Sequence, residues 1–521
     1  MGVLEIFSLL VAFIILLIGI FVEGGNTQED EQNNKNNEVV GGANKSTSTN
    51  LMIFHRDLRA IDNTALNMAA KDADAVMCVF IFDDAQVGPI NSFRSVASIQ
   101  FMIESIEELN KSLDNKLVIC RGNTANVVEG LIKDNNIKGV YFNADYTPFA
   151  VTRDKKIQEI CEKASIPCYN PHDVLILDGK VTFYKKFTPF HNMYAHAKIR
   201  DPNMIAPTNI ANQVINRFPT TLDTIRKLIG VEETKEENKL DIPPDVEGLQ
   251  QPTTGGATSI KGGRNNGLAI LNSLVANQPK YNVDRDMLAK NTTRLSAHNK
   301  FGTLSCREVY YAFARLPASS KDLTKQMFWR DFYYTLMIND PNALKGSFNS
   351  KYDTDAIWLP KQVQDKHFLV WTQAATGFPV VDACMRELNT NNYMHNRGRM
   401  IVADFLIKLL GVEWRRGEKY FAQQLFDYDP AQNNYNWQWV AGTGPFSQPD
   451  FRVFNPRLQS EKFDPKCEYI YKWLPELKDV PAKDIHNWDL VWAKYPNVKY
   501  AKPIISYETS RDEYMQRIKL K

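Results

Sequence analysis

The nine tryptophans of the 521-residue chain all lie beyond residue 328, and Trp371, Trp414 and Trp437 sit among amides, arginines and aspartates. Indole is an oxidisable side chain, so several at close spacing can pass one electron in short hops where a single long jump would fail. Tryptophan is also a bulky filler whose N–H asks for a partner, and a large helical core would account for the indoles alone. It would not account for their company. Across residues 393–414, Ile401, Phe405, Leu406 and Leu409 make one apolar stripe at helical spacing. Asn396 and Met400, four apart, share one face, and His395 and Arg399 share the neighbouring one. An arginine beside a core stripe needs a carboxylate or an anionic ligand, and Asp427 and Asp429 are acidic candidates downstream.

Helices must carry these groups. Residues 267–276, 305–313, 323–339, 380–389, 397–410 and 418–427 place apolar side chains at helical spacing, which predicts an all-helical domain over residues 263–521. Upstream the rhythm differs. Residues 51–54, 75–82, 116–120, 139–142 and 166–169 read as short strands, and residues 92–113, 124–135 and 150–164 as helices between them. That alternation predicts a parallel, Rossmann-like α/β domain over residues 50–180. Residues 181–262 break the pattern with a charge run at 232–237, paired prolines at 243–244 and paired glycines at 255–256, and they read as an interdomain connector.

A net charge of +2 sets up no field over the whole protein that would demand a polyanion, so any nucleic-acid surface must be a local patch. Seven scattered cysteines without a C-x-x-C pair read as reduced thiols in a cytosol-like compartment rather than a disulfide framework or a metal site. The chain has no P-loop, no G-x-G-x-x-G and no H-E-x-x-H. Residues 1–25 hold an uncharged run of 17 at positions 6–22, preceded by Glu5 rather than a basic segment. These flanks favour a short hydrophobic helix acting as an uncleaved transmembrane anchor over a cleaved signal. Residues 26–49, rich in Asn, Gly, Ser and Thr, read as a disordered tether.

The runs 376–410, 414–418 and 433–439 closely resemble the DNA photolyase and cryptochrome family. So do residues 54–59 with Asp62 and Asn63, and residues 187–190, 292–296, 329–332, 451–456 and 473–477, in the family's order. The resemblance implies an α/β antenna domain followed by a helical domain that binds FAD, and light-driven repair of cyclobutane pyrimidine dimers. A cryptochrome-type photoreceptor without repair is the alternative. It implies that Tyr281, Thr292, Thr293, Leu295 and Ser296 line the diphosphate and ribityl part, where hydroxyls at a helix start suit phosphate. Gln326, Trp329 and Arg330 are expected between flavin and substrate. Asn396 and Arg399 should flank the isoalloxazine, with Arg399 paired to Asp427, Asp429 beside the ring and Asn433 facing flavin N5. An amide there can accept from N5–H and so favour the reduced flavin.

Trp437, Trp414 and Trp371 match the family's electron-transfer chain from flavin to surface. A monomer acting on damaged DNA is expected, with the dimer flipped into a pocket. Trp329 and Tyr393 would wall that pocket, Met400 would lie beneath the lesion, and Arg397, Arg452 and Lys462 would grip phosphates. Three positions depart from the family's patterns. Gln326 stands where cyclobutane-dimer enzymes usually carry glutamate. Asn396 and Met400 stand where 6-4 photolyases carry two histidines. Phe149 and Ala150 replace the polar pair that holds a folate in some members, leaving a deazaflavin, a folate or no antenna chromophore open.

Overall fold

A computed structural model describes residues 48–177, 181–213, 215–230, 260–350, 353, 357–447, 449 and 451–520. Five short apolar runs form one parallel sheet: β1 (Thr49–Phe54), β2 (Ala75–Phe82), β3 (Val118–Arg121), β4 (Ile137–Tyr141) and β5 (Cys168–Tyr169), in the order β3-β2-β1-β4-β5. β1 is buried along its whole length and β2 is buried except at Ala75, as expected of strands covered on both faces. The helices Thr64–Lys71, Val96–Ser112, Thr124–Asp134 and Pro148–Lys163 cover them. Asn63, Ser95, Asn123 and Thr147 open these helices, each side chain accepting a backbone N–H of the first turn. Strand order reverses between β1 and β4, so the carboxyl ends of these strands flank a natural ligand crevice.

The helical half follows, with Asp322–Asn339, Pro379–Asn391, Asn396–Asp404, Trp414–Gln424 and Pro430–Ala441 carrying residues of the runs named above. The single helix expected over 397–410 changes character midway. It is α-helical to Asp404 and π-helical over Phe405–Leu409. Lys408, in that wide turn, is buried against Asp404 at 2.7 Å and donates to the Arg452 carbonyl at 2.5 Å.

Two sequence expectations need correction here. The described parts of the 181–262 connector are folded onto the body. They form helices Phe187–Tyr194 and Leu222–Gly230, and Ile210 and Pro219 bridge to Val76 and Cys120. Phe187, Phe190, Ile199, Ile210, Ile225 and Ile229 are buried, which is why this stretch docks. Residues 231–259, which carry most of the connector signal, lie outside the described residues. The transmembrane expectation is also withdrawn. Among the described residues no helix is long and apolar enough to cross a membrane. The run 6–22 that prompted it, and residues 26–47 of the tether, lie outside the described residues.

The two halves meet through a buried cluster of charges. Arg307 pairs with Asp62 at 2.8 Å and with Asp173 at 2.7 Å, Arg59 pairs with Asp173, and all four side chains are essentially inaccessible. Two cations and two anions balance. Burial alone would raise the Asp173 carboxyl, but Arg59 and Arg307 outweigh it and hold it down at about 2.

Candidate active site

The Asn396–Asp404 helix starts at His395, whose ring nitrogen accepts the Arg397 N–H at 3.1 Å. That start aims Arg399 across to Asp427, with contacts of 2.9 and 3.2 Å, as expected. The Ser296 hydroxyl donates to the same carboxylate at 2.6 Å, and Arg399 Nε donates to the Met394 carbonyl at 2.8 Å. Burial would lower the guanidinium's pKa, and Asp427 more than reverses this. Asn396 is exposed on the same helix, with its amide nitrogen 4.0 Å from Met400 Sδ. Gln326 and Trp329 are half-buried on one face of Asp322–Asn339. The Trp329 ring stacks on Phe187 at 3.6 Å, with Tyr333 5.7 Å away at 28° and Phe446 at 6.2 Å.

Asn433 sits in the first turn of Pro430–Ala441. Its Nδ2 donates to the Glu418 carboxylate at 3.1 Å and to the Glu418 carbonyl at 3.3 Å. Burial pushes the Glu418 carboxyl up to about 7, against the lowering effect of hydrogen bonds from Asn433 and Tyr428. Glu418 was not foreseen, although it lies four residues after Trp414 within a run already noted.

Several expected roles are redirected by long-range partners. Asp429 caps Pro430–Ala441, accepts from the Tyr334 hydroxyl at 2.7 Å and pairs with Arg56 at 2.5 Å. Arg330 is buried and donates to the Val174 carbonyl at 2.5 Å, so it also joins the halves. Tyr393 is only 6 % exposed, with Arg294 and Arg399 over its ring at 5.0 and 5.3 Å, so it is not the wall of an open pocket. Its hydroxyl shares a 3.2 Å hydrogen bond with Thr292. Thr292, Thr293 and Tyr281 are half-buried and Leu295 is buried, while Ser296 opens a helix of only six residues and is engaged by Asp427. Arg397 is tied to Asp286 at 2.7 Å, which weakens its case as a phosphate grip, whereas Arg452 and Lys462 are exposed.

The indoles form a packed group. Trp437 meets Phe421 edge-on at 5.0 Å and Trp371 at 6.4 Å between centroids. A Cβ at Gly417 would lie 2.3 Å from the Trp437 ring, so the glycine is what lets the Trp414–Gln424 helix approach it. Trp414 is buried on that same helix. Trp371 is fully buried and donates to the Val402 carbonyl at 3.1 Å, so it is not the surface end of a chain. Trp358, Trp439, Trp473 and Trp492 are half-buried indoles packed against this cluster.

A separate cavity of about 470 Å³ opens at the strand-order reversal. Its walls include Arg56 after β1, Asp83 after β2 and Asp145 after β4, and from the helical half Lys300, Glu418 and Tyr428. Phe93 and Tyr428, both on this wall, lie 6.5 Å apart with rings 26° from parallel. Burial, with Arg56 adding repulsion, brings the Lys300 ammonium down to about 7.

The flavin-site residues fit FAD on their own evidence. Asn299 Oδ1, His395 Nε2 and Arg397 Nε are buried without a protein partner, as groups that await a polar ligand would be. Arg399, Asp427 and Asn433 would hold the flavin, and Thr292 and Ser296 its linker. Arg399→Ala should weaken FAD retention on the order of 100-fold, ~2.7 kcal/mol, because Asp427 loses its buried partner. Flavin fluorescence released on dialysis checks this, and undiminished retention would remove Arg399 from the site.

Residues 50–207 match the family model described as DNA photolyase, and residues 323–520 that of the FAD binding domain of DNA photolyase. A deoxyribodipyrimidine photo-lyase of Halobacterium salinarum is 30% identical over 493 residues, covering 88% of this chain and 96% of its own. An archaeal photolyase structure from Sulfolobus tokodaii, described with two FAD molecules, is 34% identical with a TM-score of 0.76, covering 91% of this chain and 100% of its own. A Synechocystis cryptochrome structure is 26% identical with a TM-score of 0.76, covering 90% of this chain and 99% of its own. On the sequence identity, the matched domains and the Arg399–Asp427 geometry together, the chain belongs to the deoxyribodipyrimidine photo-lyase family.

Proposed function

We propose that the chain repairs cyclobutane pyrimidine dimers in DNA under light and leaves 6-4 photoproducts untouched. The chemistry supplied by bound, reduced FAD is transfer of one electron that opens the cyclobutane ring and then returns. The observation that carries the lesion choice is the Asn396–Met400 face, which offers no ionisable proton donor. The nearest histidine, His395, is no substitute. It is buried, its Nδ1 accepts the Arg397 N–H, and burial with Arg399 nearby holds its pKa down at about 4. Splitting a cyclobutane ring needs the electron alone, whereas 6-4 chemistry needs an acid.

The remaining residues orient the lesion. Trp329 offers a half-buried indole, Asn396 offers an amide, and Gln326 can donate to a pyrimidine carbonyl without glutamate's charge. Arg452, exposed on a segment whose backbone Lys408 holds, is suited to a phosphate. The second cavity, with aromatic walls and Arg56, Arg94 and Lys300, suits a planar, anionic antenna chromophore. Phe149 on that wall gives a folate's polar groups no partner. All seven cysteines are free, which suits a reducing, cytosol-like compartment.

The test is blue-light repair by chemically reduced enzyme on oligonucleotides carrying one defined lesion. Cyclobutane dimers should be restored and 6-4 lesions unchanged, and Gln326→Glu should raise the quantum yield. Repair of a 6-4 lesion would overturn the assignment. Repair of neither would favour the photoreceptor reading.

A further inference from the structure

We propose that Glu418 is a positioning residue of the flavin reaction: from the wall of the second cavity it fixes which end of the Asn433 amide is turned to the flavin. This rests on the reading that Asn433 faces flavin N5. An asparagine amide has nearly the same shape either way round, with two donors at one end and an acceptor at the other, so its partners decide its orientation. The Asn433 nitrogen has two acceptors, and both belong to Glu418: the carboxylate at 3.1 Å and the backbone carbonyl at 3.3 Å. With Nδ2 held there, Oδ1 is the end left for the flavin.

That choice has a redox sign. N5 carries a hydrogen in reduced flavin and a bare lone pair in oxidised flavin. A carbonyl oxygen facing it accepts from the reduced form and repels the oxidised one, whereas an amide nitrogen would do the reverse. Glu418 thus biases the site toward the form that repair requires without touching it.

The geometry around Glu418 suits a fixed support. It is 3 % exposed on the Trp414–Gln424 helix, and the Tyr428 hydroxyl donates to the same oxygen at 3.3 Å. Glu418 and Tyr428 both line the 470 Å³ cavity. Glu418 therefore belongs to the cavity wall and also binds the Asn433 amide.

The experiment measures the midpoint potential of bound FAD in the holoenzyme for Glu418→Gln, Asn433→Ala and the double variant. Glutamine keeps the shape of glutamate but can donate to Asn433 Oδ1 and turn the amide over. E418Q should lower the two-electron midpoint by ~30 mV or more, a tenfold shift against the reduced form. FAD content and urea midpoint should hold. Adding E418Q to N433A should then change nothing further, because there is no amide left to orient.

If N433A shifts the potential and E418Q does not, the proposal falls and the flavin-site reading stands. If N433A itself has no effect, the reading of Asn433 fails and takes the proposal with it. Additive shifts would mean that Glu418 acts by its own charge, which also overturns positioning. Should E418Q fail to retain FAD, vibrational difference spectra of the unsubstituted enzyme with isotope-labelled asparagine decide instead. A side-chain amide carbonyl band that moves on flavin reduction and is lost in N433A supports the proposal, and one that does not move overturns it.

Discussion

Photoreduction of oxidised flavin should fall roughly tenfold or more in Trp437→Phe, ~1.4 kcal/mol or more in barrier, while repair by enzyme reduced beforehand stays near its starting rate. The two reactions use different routes. Refilling an oxidised flavin with an electron needs an oxidisable neighbour and a path onward, and Trp437 is packed against Phe421 and Trp371 in the midst of such side chains. Repair begins from a flavin already reduced and draws nothing through the indoles. Phenylalanine keeps an aromatic ring beside Gly417 but is far harder to oxidise, so the substitution separates electron transfer from packing. Photoreduction followed by absorbance, and repair followed on a defined lesion after chemical reduction, are compared in the same preparation. Equal losses in both assays would make Trp437 a core filler and nothing more.

Asp173→Ala should destabilise the protein by roughly 3–5 kcal/mol, since it leaves two buried guanidiniums short of an anion. Arg59 and Arg307 both lean on that carboxylate, and Thr64 donates to it at 2.6 Å. A urea midpoint that barely moves would show that Asp62 alone neutralises the cluster. The same residue carries an acid sensitivity. Its folded pKa, about 2, is depressed below the unfolded value, so its contribution is complete above the unfolded pKa and is lost as pH falls through the folded one. The unfolded value is ~3.9, which places the loss between roughly pH 4 and pH 2. The alanine variant should lack that part of the acid transition.

Much of this could be read from residue order. The strands were legible because each is a short apolar run between cappable helix starts, and β2 falls on residues 75–82 as predicted. That Arg399 needs an anion was legible because a guanidinium beside a core stripe has few stable outcomes, and the family resemblance singled out Asp427 over Asp429. Much of what residue order did not show lies far apart along the chain. Asp429 is held by Arg56, 373 residues away, and Arg330 by Val174, 156 residues away, and neither pairing leaves a local trace. Trp371 matched a motif position, but its burial depends on Phe368, Tyr420 and Phe421 closing around it. The docked helix Phe187–Tyr194 was masked by the polar composition further along the same stretch. The π-helical turn over Phe405–Leu409 keeps its apolar residues at near-helical spacing, so periodicity does not register it.

The second cavity takes its walls from both halves of the molecule, the sheet's carboxyl edge on one side and Lys300, Glu418 and Tyr428 on the other. Whatever occupies it can therefore bind only while the halves are docked, and mass action makes the occupant a clamp. At a free concentration a hundredfold above its dissociation constant, a ligand adds ~2.7 kcal/mol to the docked state. Heat resistance then becomes a gauge of ligand supply: the same polypeptide melts later where an occupant is abundant and earlier where it is scarce, with no change in sequence.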